Sequence, residues 1–206
     1  NNLLATFLDL DRFAFTMMAL VIFIGLCVFS FSRRYLKGDA QYTSFCTQLL
    51  LLVIAICAMV CVDNLLLVFI ASCISNMVLV RLMIHKYQWA AARASGMLAA
   101  KNFILGAIFL GTGFLILYGI TGESSIKQLV NYTDISHTMM MRIALILLML
   151  GAMAQSAIWP FHRWLLSSLN SPTPVSAIMH AGLVNGGGVL LVRFAPLYLQ
   201  QTLLLD

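Results

Sequence analysis

From residue 13 onward the chain keeps returning to apolar runs of bilayer-spanning length, broken only by short polar stretches. A run of about 20 apolar residues matches the hydrocarbon thickness of a membrane. Inside that layer every backbone amide must find its partner within the segment, which leaves helices as the economical solution. The spacing predicts six helices, at about 13–32, 46–62, 64–83, 97–120, 139–159 and 175–195. The expected fold is therefore all-α, a polytopic membrane helix bundle with a proline-broken helix. Composition agrees: 62% of residues are hydrophobic and 9% charged, against about 45–50% and 25% in soluble domains. The net charge of +5 does not imply a nucleic-acid partner, because the cations are scattered between apolar runs and form no basic face.

The scattered charges orient the spans instead. Arg33, Arg34 and Lys37 fall in one connection, Arg81, Lys86 and Arg93 in another, and His162 and Arg163 in a third. Asp9, Asp11, Asp63, Glu123 and Asp134 fall on the opposite side. The positive-inside rule makes the basic loops cytoplasmic and puts residues 1 and 206 on the other side of the cell membrane. Arg142 and Arg193, near outer helix ends, are expected to snorkel to the interface. Asp63, in the Asp63-Asn64 turn, is expected to be solvated. Segment 121–138 reads as a short interfacial helix. The 206 residues read as a single transmembrane domain, and the absence of an initiator methionine suggests a piece of a longer protein.

Chemistry concentrates between Gly151 and Asn185. An apolar helix runs into Trp159-Pro160, an amphipathic stretch follows, and Pro172 and Pro174 precede a second apolar helix carrying His180. Proline lacks an amide hydrogen, so it frees a carbonyl that protein or water must satisfy. Gln155 and Ser156 stand just before Pro160, placed to bond such a carbonyl or to line the opening. Phe161, Trp164, Leu165 and Leu169 are spaced for one helical face, so 160–170 either rests at the cytoplasmic interface or re-enters between spans. His180 lies inside an apolar run, and an imidazole there can relay protons near neutral pH. It can equally be a satisfied packing group. Lys101 is either a buried base or a snorkelling anchor, and depth decides. Gly182, Gly186, Gly187 and Gly188 mark a close approach of helices.

Other chemistry is not indicated. The five cysteines stand in apolar runs without a CxxC or Cys/His cluster, so no metal site is expected. The chain has no glycine-rich phosphate loop, carboxylate pair or Ser/His/Asp set, so no cofactor and no catalysis by this chain alone are expected.

Several stretches resemble one family. Ser32-Arg-Arg-Tyr-Leu-Lys-Gly-Asp39, Asp63-Asn-Leu-Leu-Leu67, the run from Gln155 to Arg193 and above all Ser171-Pro-Thr-Pro-Val-Ser-Ala-Ile-Met-His180 are similar to proton-translocating antiporter-type membrane subunits. These are the large membrane subunits of respiratory complex I, of multisubunit cation/proton antiporters and of the DAB-type inorganic carbon pump. Trp89-Ala-Ala-Ala-Arg-Ala-Ser-Gly96 and Ala181-Gly-Leu-Val-Asn-Gly-Gly-Gly188 are most like the carbon-pump branch. The resemblance implies a proton-conducting subunit of an inorganic carbon uptake complex, with a large carbonic-anhydrase-like zinc subunit as partner. The alternatives are a proton-pumping subunit of NADH:quinone oxidoreductase, with other complex I subunits as partners, or a non-conducting scaffold. Such subunits are longer and carry a second, inverted repeat. Their usual glutamate and lysine fall here on Cys73 and Gln155. Of the family's charged path, His180 and Lys101 are what carries over.

Overall fold

The computed structural model describes residues 11–131 and 138–203. Helices α1 (Arg12–Tyr35), α2 (Tyr42–Cys61), α3 (Leu65–Met83) and α4 (Ala90–Thr121) run up and down in sequence. A short α5 (Ile126–Val130) follows, then α6 (Thr138–Gln155) and the short α7 (Arg163–Ser167). A 3-10 turn at Ser168–Asn170 leads to α8 (Thr173–Ile178), a π turn at Met179–Leu183 and α9 (Val184–Leu203). α8, the π turn and α9 form one apolar rod over Thr173–Gln200. No strand occurs among the described residues.

Five helices are long and apolar enough to cross a membrane: α1, α2, α3, α4 and that rod. α6, expected as a sixth span over 139–159, is shorter and stops at Gln155. The residue before a proline is driven out of helical conformation, and here the chain has already left the helix at Ala157, where φ is 53°. Elsewhere the spans exceed the expected bounds. α4 starts at Ala90 rather than near 97, and α9 continues through Pro196 instead of ending before it.

Local sequence explains the ends. The Asp11 carboxylate caps α1 by accepting from the Ala14 amide at 2.6 Å. Asn64 caps α3, accepting from the amides of Leu66 and Leu67 at 3.0 and 3.2 Å. Gly122, at φ 70°, closes α4 in the left-handed conformation that glycine tolerates.

α4 and α6 make the most extensive pairing, and glycine is the reason. A Cβ on Gly151 would stand 2.5 Å from Leu110 Cγ, and one on Gly113 would stand 3.0 Å from Leu148. Small residues let membrane helices approach closely enough for dispersion to hold them. Around this core, Phe15, Phe23, Ile54, Met77, Ile108 and Leu115 are exposed, as a lipid-facing surface requires.

Two expectations about charge are corrected. Asp63 is buried at 7% exposure rather than solvated. Its carboxylate accepts from Ser125 Oγ at 2.6 Å and the Lys127 amide at 3.0 Å, pinning α5 beneath the α2–α3 turn. Arg193 does not reach for the interface; its guanidinium donates to the carbonyls of Val62, at 3.1 Å, and Val60. These carbonyls end α2 and have no helical donor left to bond. Residues 132–137, part of the expected interfacial segment, lie outside the described residues.

Candidate functional site

The site is built where the broken end of α6 meets the start of α9, just past the π turn. α6 ends at Gln155, and its last carbonyls need donors from elsewhere. The Ala154 carbonyl receives two: Asn102 Nδ2 from α4 at 2.8 Å and Trp164 Nε1 from α7 at 3.2 Å. On the facing rod the π turn at Met179–Leu183 widens the helix by one residue per turn. There Ser156 Oγ donates to the Val184 carbonyl at 2.8 Å. The sequence places Ser156 at the break, and the structure shows that it serves the neighbouring helix rather than its own.

The end of α6 fits against the first turn of α9 through glycine. A Cβ on Gly187 would lie 2.3 Å from the Ala152 carbonyl oxygen and 2.2 Å from Ser156 Oγ. One on Gly186 would lie 3.1 Å from Gln155 Nε2. Gln155 itself is 2% exposed. Its Nε2 makes only a loose 3.8 Å contact with Met59 Sδ, and its Oε1 has no partner among the described residues. Asn76 Oδ1 on α3 is likewise buried without a partner there. Buried amide oxygens normally accept a hydrogen bond, so both are polar points available to water or a proton carrier in an apolar interior. Cys73 is half-buried on α3.

The segment after Pro160 re-enters the bundle. Phe161 packs edge-on against Phe109 of α4, with centroids 6.3 Å apart, and Trp164 against Phe103 at 4.6 Å. Asn170 Nδ2 donates to Ser95 Oγ at 2.9 Å. Positions 109, 103 and 95 descend α4 by about 21 Å at 1.5 Å per residue. The expected single apolar face is not what forms. Trp164 is buried while Leu169 is 88% exposed, because the stretch divides into a short helix and a 3-10 turn. Pro160 is exposed, whereas Pro172 and Pro174 are buried at the head of α8.

The structure does not bring the expected path residues together. His180 lies in the π turn, which packs on α1, α2, α3, α8 and α9, and its side chain is exposed. It has no hydrogen-bond partner among the described residues. Lys101 is exposed on α4. Sequence reasoning missed Asn102, the donor one position beyond Lys101. Its signal was a lone amide inside a long apolar helix, which in lipid demands a partner. Among the described residues no three His, Cys, Asp or Glu side chains gather as metal ligands.

At the end of the bundle opposite Asp63, His85 and Asp39 meet at 3.1 Å, joining the α1–α2 and α3–α4 connections. The His85 ring also stands edge-on to Phe45, 5.2 Å between centroids. The Gln41 amide and then the His85 ring hold the Asp39 carboxyl below its ordinary value of 3.8.

Five helices long and apolar enough to cross a membrane, the π-distorted rod among them, with the broken helix α6 packed against α4 and the rod, define a multi-pass membrane protein. The chain belongs to the family of membrane subunits described as "NADH:quinone oxidoreductase/Mrp antiporter, TM", whose sequence profile matches residues 62–204. A second profile, for the N-terminus of complex I chain 5, matches residues 4–46. Relatives include the probable inorganic carbon transporter subunit DabB of Bacillus subtilis, 33% identical over 195 residues, with 92% of this chain and 38% of that protein covered. Its counterpart in Bacillus anthracis is 32% identical over 191 residues, with the same coverage. The Na(+)/H(+) antiporter subunit A1 of Staphylococcus haemolyticus is 34% identical over 200 residues, covering 93% of this chain and 24% of that one. In three dimensions the chain is similar to the Mrp complex of a Dietzia species: TM-score 0.84 and 24% identity over 91% of this chain and 21% of the other. The chain thus spans well under half the length of these relatives.

Proposed function

We propose that this chain is the antiporter-like part of a proton-conducting membrane subunit, working in a complex that couples an ion gradient to uptake of inorganic carbon. The carbon assignment draws on the two DabB relatives. The observation that supports proton conduction is the bond from Ser156, at the α6 break, to the carbonyl of Val184, the residue that closes the π turn bearing His180. Helices are interrupted inside a membrane at a cost in backbone hydrogen bonds, and the interruption is tolerated where protein buries it or a water-filled path runs beside it.

His180 is the titratable group of this path. Its exposed face is unlike the lipid surface elsewhere. Thr173, Ala177, His180, Asn185 and Gly188 line it, small or polar, where α1 presents Phe15 and Phe23. Such a face suits contact with further protein, and we assign that place to the rest of a longer subunit. Gln155 cannot carry a proton, so in this reading it orders water beside the path. The basic connections face the cytoplasm, both ends of the chain face the opposite side, and a peripheral zinc subunit docks to the complex.

The test is His180→Gln in the assembled complex. Normal assembly with loss of gradient-dependent bicarbonate uptake is the expected result; normal assembly with near-normal uptake would rule out the relay. A second reading, cation/proton exchange, is favoured by the staphylococcal antiporter relative. It predicts sodium-driven proton movement in inverted vesicles with no dependence on bicarbonate. Single cysteines at Arg93 and Glu123, in a background without native cysteines, test sidedness: a membrane-impermeant reagent outside the cell should reach only the second.

A further inference from the structure

We propose that Lys101 and Arg163 together form a binding site for the headgroup of an anionic phospholipid, at the seam between α4 and the re-entrant segment. Three observations lead there.

The first is placement. Lys101 precedes Asn102, and Arg163 precedes Trp164. Asn102 and Trp164 share the Ala154 carbonyl, while the Trp164 ring rests 4.6 Å from Phe103. Each cation is therefore one position from a residue of the same packed contact, which puts their backbones near one level of the bundle.

The second is charge. Both side chains are exposed, and neither pairs with a carboxylate among the described residues. Asp39, an acidic residue at this end, is occupied by His85. Two cations on one seam with no protein counter-ion call for an anionic partner.

The third is depth. α4 has 32 residues, about 48 Å at 1.5 Å per residue, well beyond a hydrocarbon layer of about 30 Å. Lys101 lies 20 positions before the last residue of α4, Thr121 (121 − 101 = 20), about 30 Å along the axis. With Thr121 at one boundary, Lys101 stands at the other, at headgroup level. Ile104 and Leu105, three and four positions along α4 from Lys101, are exposed, as is Leu166, three positions after Arg163. Cations next to exposed apolar side chains fit one occupant on both counts, a phosphate with acyl chains attached. An acidic soluble peptide would match the charge and leave the apolar surface wet.

Trp159, 76% exposed and four positions before Arg163, serves as the fluorescent reporter. The experiment uses the purified protein carrying Trp89→Phe, which removes the other exposed indole. It is titrated in detergent with phosphatidylglycerol or phosphatidylcholine brominated on the acyl chains, and quenching is read. The expected result is quenching at lower phosphatidylglycerol than phosphatidylcholine. Each lost cation should reduce that preference about fivefold, the factor one basic residue contributes near an anionic surface. Lys101→Gln with Arg163→Gln should abolish it, while Lys101→Arg with Arg163→Lys should keep it. High salt should erase the preference in protein with both cations intact, a readout that needs no mutant fold. Inorganic phosphate at the same concentration should not compete. Equal quenching by the two lipids, a preference unchanged in the double Gln variant, or a co-purifying acidic protein that shields Trp159 would overturn the proposal.

Discussion

Ser156 gives its hydroxyl to the carbonyl of Val184, 2.8 Å away, so the end of one broken helix completes the backbone of the next. That bond lies in a contact left open by Gly187, whose missing side chain makes room for the Ala152 carbonyl and the serine oxygen together. The polar break and the close packing are one feature, because the helices can exchange hydrogen bonds only where glycine lets their backbones meet.

Gly187→Ala should therefore be strongly destabilising. A Cβ there would fall 2.3 Å from a backbone oxygen, and backbone in a packed core cannot swing aside as a flexible side chain can. Ser156→Ala should cost less, about 0.5–1.7 kcal/mol, the range for hydrogen bonds between membrane helices. Gly188 meets nothing within 4 Å, so Gly188→Ala should be neutral or slightly stabilising through helix propensity, by up to about 1 kcal/mol. Unfolding in mixed micelles should rank the variants Gly187→Ala, Ser156→Ala, Gly188→Ala from least to most stable. Equal stability of the two glycine variants would show that the interlock is looser than drawn.

The membrane class and most span positions were legible because they rest on apolar run length, a property each segment carries alone. Pro160 likewise marked the stretch in which α6 gives way. Partnership was not legible. Whether Ser156 bonds its own helix or the next depends on the approach of α6 to α9, which glycine permits without specifying. The same holds for Asp63 and Arg193. Each reads as an interfacial charge in sequence, yet each turns inward, to Ser125 and the Lys127 amide or to the carbonyls ending α2. The end of α6 was placed four residues late because the expected break was put at the proline itself. The helix gives way upstream of it, at Ala157.

The Asp39–His85 contact should make the membrane-edge connections acid-sensitive. The folded Asp39 carboxyl is held below its ordinary value of 3.8, first by the Gln41 amide and then by the His85 ring. A depressed carboxyl favours the folded state above its unfolded pKa, and that contribution disappears as pH falls through the folded value. At neutral pH, Asp39→Asn should lower the melting temperature. The difference from wild type should shrink as the pH falls below about 4, the unfolded range for aspartate. Melting curves of both proteins between neutral pH and pH 3 read this out. A gap that stays constant with pH would place the effect of Asp39 in geometry rather than charge.

The sharpest test of the re-entrant segment is the carbonyl of Ala154, which holds two donors at once. With Asn102 Nδ2 at 2.8 Å and Trp164 Nε1 at 3.2 Å, either donor alone keeps the oxygen satisfied. Asn102→Leu should thus cost little, within about 1 kcal/mol. Trp164→Phe should cost more, because a side chain 1% exposed loses packing as well as its N–H. Together they leave a carbonyl at the end of α6 with no side-chain donor, a penalty of about 1–3 kcal/mol that neither single change incurs. The double variant should therefore be less stable than the sum of the singles predicts. A double-mutant cycle isolates that coupling from the packing loss, which cancels between the two arms. Strict additivity would mean that the two donors do not share the carbonyl, and that aromatic packing on Phe103 and Phe109, with the Asn170–Ser95 bond, holds the segment against α4.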